Sequence, residues 1–368
     1  MHAQRMARVR AAMAEQDVDV VLLSVGADLP YLTGYEAMPL ERLTMLVLPR
    51  DGDATLVVPR LEAPRVTEHP DIFTIETWDE TDDPIARVAA LAGPAGRAAI
   101  GNQTWAQFLV ALLQRAPGVA FTKSSDVLGP LRAVKDAAEV EALRAAGAAA
   151  DRVAAQLHGG DIALIGRTEA EVSADIGRRL RAEGHQRVNF AIVAAGENAA
   201  SPHHEPGDRR IAANEVVLCD FGGTMLADGG AGYCSDITRC VYTGEPPAAF
   251  RELYDVLFAA QAAGVAAATV GTPCEDIDRA SRQVIEDAGY GEHFIHRTGH
   301  GIGIEAHEDP YIVSGNAEPL AAGHAFSVEP GIYLPGQWGA RLEDIVVAAD
   351  GGPDPLNVVE HDLVIVEA

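Results

Sequence analysis

Five residues in the second half of the chain, Asp220, Asp236, His300, Glu329 and Glu343, have the types and settings of a two-metal hydrolytic site. Each stands in its own short motif: VVLCDFGG, GYCSDITR, HRTGHGIGIEAHE, FSVEPGIY and ARLEDIV. Four carboxylates and one imidazole supply hard oxygens and a borderline nitrogen, a set that Mn²⁺, Co²⁺ and Zn²⁺ all accept. A lone buried carboxylate is costly unless it is paired or bound to a cation, and these acids are embedded in apolar runs. Ordinary turn or surface acids would stand in polar loops instead.

Alternation along the strands supports the grouping. In CSDITRCV, Asp236, Thr238 and Cys240 fall on one face, and in ARLEDIVV, Arg341, Glu343 and Ile345 fall together. Asp220 is read as closing the strand VVLCD, and Pro330 stops the ladder behind Glu329. Carboxylates projecting from strands into one cavity suit two cations roughly 3.5–4 Å apart. Four carboxylates and two divalent cations sum to zero charge; without cations, four clustered carboxylates could not all stay ionised. Asp228, in a DGG context, reads as an exposed turn and not as a ligand.

Histidines form the second signal. His296, His300 and His307 share one glycine-rich segment, while His203 and His204 stand in SPHHEPGD. A single histidine is more often an accommodated core or surface group. Five gathered around one set of acids point to a site, His203 and His307 foremost. Gly299, Gly301 and Gly303 around His300 suggest a backbone that turns tightly or approaches a ligand.

The elements that must hold these residues fall into two halves. Residues 1–130 alternate short helical and strand signals, MARVRAAMAEQDV as a helix and VDVVLLS, LTMLVLP and DATLVVP as strands, with no chemical cluster. Gly129 and Pro130 mark the boundary, and residues 131–368 form the second domain. There, a long Ala-rich helix runs from Lys135 to about Leu157, and a second begins at Thr168, whose partner Glu171 completes a capping box. Five strand runs and two further helices follow. The fold class is α/β, or α+β, in two domains.

Composition excludes several roles. Lys and Arg number 28 against 54 Asp and Glu, a net charge of −26, which argues against nucleic acid or an anionic membrane as partner. The N-terminal stretch lacks the apolar core of a signal peptide, and VDVVLLSVG is too short to span a bilayer, so a cytoplasmic location is expected. Cys219, Cys234, Cys240 and Cys274 fit no zinc-knuckle spacing and read as reduced core residues.

GYCSDITR, HRTGHGIGIEAHE, SVEPGIY and ARLEDIV resemble the pita-bread metallopeptidases of family M24, specifically the Xaa-Pro peptidases prolidase and aminopeptidase P. The resemblance covers residues 135–365 strongly, and the first half is similar to the creatinase-type domain that precedes this fold. It implies that Asp220 chelates one metal, that His300 and Glu329 bind the other, and that Asp236 and Glu343 bridge both. A bridging hydroxide would attack the peptide carbonyl between an N-terminal residue and proline. Glu329 would shuttle the proton, His203 would contact substrate, and His296 and His307 would line the pocket and stabilise the oxyanion. Arg341 would orient the bridging carboxylates. Mn²⁺ is the expected metal, with Co²⁺ or Zn²⁺ as alternatives, a small peptide the substrate and a homodimer the expected assembly.

The resemblance is incomplete in places. The Asp220–Asp236 segment is a few residues longer than the common family spacing, with TMLADGGAG as an extended hairpin tip. Some dipeptidases of this type carry a basic residue soon after HE-x-P to hold the substrate carboxylate; here Tyr311 and Ile312 follow Pro310, which weakens a dipeptide-only reading. The competing readings are the same chemistry on non-proline dipeptides or other small amides, and a metal-free binding module on the same fold. Methionine aminopeptidase is disfavoured by the long N-terminal half, and metal-free creatinase by the full ligand set.

Overall fold

The computed structural model describes residues 1–366, which divide into two units: Met1–Arg132 with Ala227–Ala231, and Ala133–Leu226 with the chain from Gly232 onward. The first unit contains α1 (His2–Glu15), β1 (Val20–Leu23), α2 (Asp28–Thr33), β2 (Met45–Pro49), β3 (Ala54–Pro59) and β4 (Phe73–Trp78). It continues through α3 (Pro84–Ala92), β5 (Arg97–Ile100), α4 (Ala106–Arg115), β6 (Ala120–Lys123) and α5 (Ser125–Ala133). The six strands form one mixed sheet in the order β4-β3-β2-β1-β5-β6. Val20, Leu22, Met45 and Val47 from its centre pack with Val88 and Leu112 from α3 and α4. The edge strands β4 and β6 carry polar residues along much of their length, so their sequences offer little apolar signal.

The second unit opens with α6 (Ala137–His158) and α7 (Glu169–Ala182). Both start at reciprocal caps, Asp136 with Glu139 and Thr168 with Glu171, which satisfy two backbone N–H groups that a helix end otherwise leaves open. Next come β7 (Arg187–Ala195), β8 (Val216–Leu226), β9 (Gly232–Cys234), β10 (Ile237–Thr243), α8 (Ala248–Ala267) and α9 (Cys274–Asp287). The remaining strands are β11 (Gly299–Gly301), β12 (Glu308–Ile312), β13 (Ala325–Val328), β14 (Gly331–Leu334), β15 (Trp338–Arg341), β16 (Asp344–Ala349), β17 (Gly352–Pro355) and β18 (Val364–Val366). They build a sheet β18-β10-β8-β7 with β9 paired to β8, a second sheet β12-β11-β13-β16-β17, and the hairpin β14-β15.

Alternation sorts the two faces of the first of these sheets. Val217, Cys219, Phe221, Ile237 and Val241 pack against α6 and α7, where Val153, Leu157, Ile176 and Leu180 are buried. Val216, Leu218, Cys240 and Tyr242 face the other way, against Phe250, Leu253 and Leu257 of α8. Asp220 therefore shares the α8 face of β8, one step beyond Leu218.

β8 does not end at Asp220 as its sequence suggests. Its pairing with β7 and then β9 carries it to Leu226, so Asp220 is a mid-strand residue. The hairpin tip that follows belongs to the first unit, and Asp228 within it is exposed. There a Cβ on Gly34 would lie 2.2 Å from the Gly229 carbonyl oxygen, an approach only glycine permits. All four cysteines are buried and unpaired. Among the described residues no helix is long and apolar enough to cross a membrane.

Arg239, fully buried on β10, joins the sheets from behind. Its five N–H donors reach five oxygens: the carbonyls of Thr238 (2.9 Å), Glu343 (2.7 Å), Val359 (2.9 Å) and Glu360 (3.1 Å), and Asp344 Oδ1 (2.7 Å). Removing one partner of such a buried pair strands the other charge. Arg239→Met is expected to cost about 3–5 kcal/mol and to lower the urea midpoint clearly. Arg42→Met, which removes an exposed pair with Glu80, should hardly shift it.

Candidate active site

Three strands set the carboxylates side by side. Asp220 on β8 stands opposite Thr238 on β10 in the antiparallel register, and Thr238 in turn bridges to Glu343, in the break between β15 and β16. Asp236 lies just before β10 on the same alternation as Thr238. The Thr238 hydroxyl donates to Glu343 Oε2 at 2.7 Å and accepts from Arg341 Nε at 3.2 Å. Arg341 also donates to Asp220 Oδ2 at 2.5 Å and to the Tyr333 hydroxyl at 2.8 Å.

The second sheet contributes His300 from β11 and Glu329 from the end of β13. The His300 backbone N–H donates to Ser327 Oγ at 3.0 Å, and the Ser327 hydroxyl donates to Glu329 Oε1 at 3.1 Å. His300 Nε2 stands 3.2 Å from Glu329 Oε1 and 3.9 Å from Asp236 Oδ2. The flanking glycines are needed for strand packing, not for a turn or a ligand. A Cβ on Gly299 would lie 1.8 Å from the Ser327 carbonyl oxygen, and one on Gly301 2.3 Å from that of Asp309.

All nine residues singled out from the sequence line one cavity of about 830 Å³. Asp220, Asp236, His300, Glu329 and Glu343 lie together in it, with His203, His296, His307 and Arg341 around them. His203 is exposed at this cavity, whereas its neighbour His204 instead meets the buried Glu169 at 2.7 Å. His296 Nε2 is 2.9 Å from the Tyr333 hydroxyl, and the His307 ring centroid is 3.9 Å from that of His300.

The electrostatics call for positive charge. Burial, then the charges of Glu343, Asp220 and Glu329, push Asp236 well above the usual carboxylate range. Burial, Glu329 and Asp220 do the same to Glu343, and Asp220 is raised by burial in spite of Arg341. Glu329 alone is held down, to about 2, because the hydrogen bond and charge of His300 outweigh its burial. Burial, then the charges of His300 and Arg297, lower His307 to about 4, so its ring is neutral at neutral pH.

Divalent cations fit this set. Ligand atoms of Asp220, Asp236 and Glu343 lie within 4.8 Å of one another, as do those of His300, Glu329 and Glu343, and those of Asp236, His300 and His307. Asp220 Oδ1 and Asp236 Oδ1 are buried without a hydrogen-bond partner among the described residues, an arrangement that is costly unless a cation meets them. The donor set of oxygens with one or two imidazoles is that of borderline first-row dications.

Sequence reading gave no role to Thr238, Tyr333 or Arg297, though all three shape the site. Thr238 is visible in the sequence only as the residue that follows Asp236 on one strand face. Tyr333 and Arg297 stand in the quoted motifs, but their partners come from distant segments and spacing alone does not reveal them.

Residues 141–350 match metallopeptidase family M24, and residues 5–134 match the creatinase/prolidase N-terminal domain. The chain is 42% identical to the probable dipeptidase PepE of Mycobacterium tuberculosis, covering 100% of this chain and 97% of that one. The crystal structure of dipeptidase PepE from Mycobacterium ulcerans is similar at 43% identity and a TM-score of 0.90, covering 100% of this chain and 98% of that one. A recombinant prolidase from Thermococcus sibiricus is similar at 33% identity and a TM-score of 0.93, covering 100% and 99%. The expected fold, a creatinase-type domain followed by a pita-bread domain, is met, and the chain belongs to metallopeptidase family M24, as a hydrolase.

Proposed function

We propose that the protein is a two-metal peptidase that removes an N-terminal residue from proline in short peptides. The observation that carries this reading is the overlap of three potential ligand groups in one cavity that also holds His203 and His296. One cation would be held by Asp220 and the other by His300 and Glu329, with Asp236 and Glu343 shared between them. When bound, two such ions supply Lewis acidity for the scissile carbonyl and lower the pKa of water enough to make a nucleophile at neutral pH. Mn²⁺ is the preferred candidate, and Co²⁺ or Zn²⁺ would suit the same donors.

The chain's own groups then divide the work. Glu329 Oε1 already faces His300 and Ser327, so Oε2 is its oxygen for carrying a proton towards the leaving amine. His307 would donate a hydrogen bond as the carbonyl oxygen gains charge, while His296, whose Nδ1 donates to the Arg297 carbonyl and whose Nε2 meets the Tyr333 hydroxyl, would line the pocket beside it. Arg341 fixes Asp220 directly and Glu343 through Thr238. His203, exposed at the cavity, meets the substrate.

The resemblance of the motifs and the likeness to a named prolidase support proline after the scissile bond. A second reading, cleavage of non-proline dipeptides, is favoured by the relative named a probable dipeptidase. To the same proposal belong a domain boundary near residue 130, a homodimer and a cytoplasmic location; the division of the chain after Arg132 supports the first.

Mn²⁺ added to metal-stripped protein should raise the melting temperature, because a ligand that binds only the native state stabilises it. Asp236→Ala and Glu343→Ala should abolish that rise and lower kcat by at least about a thousandfold, the several kcal/mol expected of the metal centre. Wild-type turnover in either variant would overturn the shared-ligand assignment. His203→Ala should keep its metal content by elemental analysis and lose roughly 10- to 100-fold in kcat/KM, as for loss of one charged or strongly oriented contact. Product analysis on Ala-Pro, Ala-Pro-Ala and Ala-Ala decides the substrate class. Cleavage of Ala-Pro alone supports a prolidase, cleavage of the tripeptide as well an aminopeptidase P, and cleavage of Ala-Ala alone discards the proline preference.

A further inference from the structure

The loop that joins β7 to β8 brings Ser201, Pro202 and His203 to the wall of the active-site cavity. It starts with a 3-10 turn, Gly196–Ala200, and then reverses in a tight turn closed by the His204 N–H on the Ser201 carbonyl at 3.2 Å. Pro202 presets the backbone at the second position of that turn. His203 is its third residue and stands exposed at the tip. Such a turn fixes its own shape but not its direction, so contacts outside it must aim the tip.

Anchors lie on both sides of His203. Before it, the Pro202 carbonyl accepts from Arg341 Nη1 at 3.4 Å, and a Cβ on Gly339 of β15 would stand only 2.2 Å from the Ala199 carbonyl oxygen. After it, His204 Nε2 donates to Glu169 Oε2 at 2.7 Å. Glu169 is the first residue of α7 and fully buried. Its Oε1 accepts from the Ala195 N–H at 2.9 Å and from Asn198 Nδ2 at 3.0 Å, and its Oε2 also accepts from the Gly207 N–H at 3.4 Å. One buried carboxylate thus gathers donors from along a single loop. Burial alone would push its carboxyl up, but the hydrogen bonds from Ala195, Asn198 and His204 outweigh that and hold it below the usual carboxylate range. The first turn of a helix also favours the negative charge. Burying an ion to order a loop is costly unless its partners are well placed, and here they are. None of the proposed metal ligands lies in residues 196–215.

We propose that Glu169 and His204 are positioning residues, a clamp on the β7–β8 loop that presents His203 to the substrate. The part given to His203 rests on the peptidase reading above. The two adjacent histidines then divide the work: His204 is turned back to a buried carboxylate so that His203 is turned out to the cavity. Releasing the clamp frees the tip on one side only, because Arg341 and β15 still hold the segment before it. The acids that would bind metal stay where they are.

The test is a mutant cycle on the Mn²⁺-loaded protein. In His204→Ala, kcat/KM for whichever of Ala-Pro and Ala-Ala the wild type cleaves should fall roughly 5- to 30-fold, within the hundredfold that a misplacement of about 1 Å can cost. Metal content by elemental analysis should not change. His204→Gln, whose amide N–H can take the place of Nε2, should recover most of the loss. In a His203→Ala background, His204→Ala should change kcat/KM by less than roughly twofold, the scatter of independent sites. Glu169→Gln, which sets an N–H₂ group against one pair of donors, should act in the same direction and be equally silent in that background. Amide exchange across residues 196–207 should quicken in His204→Ala whatever the substrate. Wild-type kcat/KM in His204→Ala, a full additive loss in the double variant, loss of metal, or unchanged exchange each overturns the proposal. A wild type that cleaves neither peptide, with exchange quickened in His204→Ala, overturns the peptidase reading and leaves the clamp standing.

Discussion

Concentrated negative charge is the constraint around which the second unit is arranged. Four carboxylates share one cavity, three of them nearly enclosed, and two have an oxygen with no hydrogen bond among the described residues. No packing of apolar side chains can offset that; only positive charge can. Arg341 supplies part of it directly, and the rest is left for divalent cations. The requirement extends outward. Asp344, next to Glu343, is buried as well, and it is met by Arg239 at 2.7 Å, His361 at 2.5 Å and Gln261 at 3.0 Å. Behind the ligands, then, the buried charges of Asp344 and Arg239 are each met by several hydrogen-bond partners.

Rigidity follows from the same arrangement. Thr238 is hydrogen-bonded at once to a ligand candidate and to the arginine that orients another, so small displacements of β10 would be felt by both. Ser327 ties the His300 backbone to the Glu329 carboxylate in the same way. Sites on adjacent strands can be held more exactly than sites on loops. Among the described residues, the exposed apolar part of the cavity lining is Ile295, in the irregular stretch before β11.

Much of the site was legible because acids in apolar strand runs violate the ordinary pattern, and a violation is easier to see than compliance. Asp220, Asp236, Glu329 and Glu343 all announce themselves that way, and the start of α7 carries its cap, Thr168 with Glu171, in plain view. What escaped was of two kinds. Elements with weak pattern were missed: α2 has six residues, and β4 and β6 are polar edge strands of the first sheet. Features decided by partners far along the chain were misjudged. Asp220 looked terminal because Gly222 and Gly223 resemble a turn, yet both glycines lie in β8 against close neighbours, the Ser235 and Arg187 carbonyl oxygens. Gly299 and Gly301 likewise serve the backbone beside them. That Arg297 stacks on Tyr311 depends on contacts that no local rule encodes.

The four thiols add a chemical property to this architecture. Cys219, Cys234 and Cys240 lie in the strands that carry or flank Asp220 and Asp236, and Cys274 opens α9. Burial pushes every one of them up, to about 11 for Cys234, Cys240 and Cys274 and further for Cys219. Nucleophilic attack on an alkylating reagent needs an accessible thiolate, and the folded second unit presents none among its described residues. Each sulfur becomes reactive only when its own element opens. Alkylation of Cys219 and Cys240 therefore keeps time for the opening of β8 and β10, a built-in clock on the strands that hold the acids.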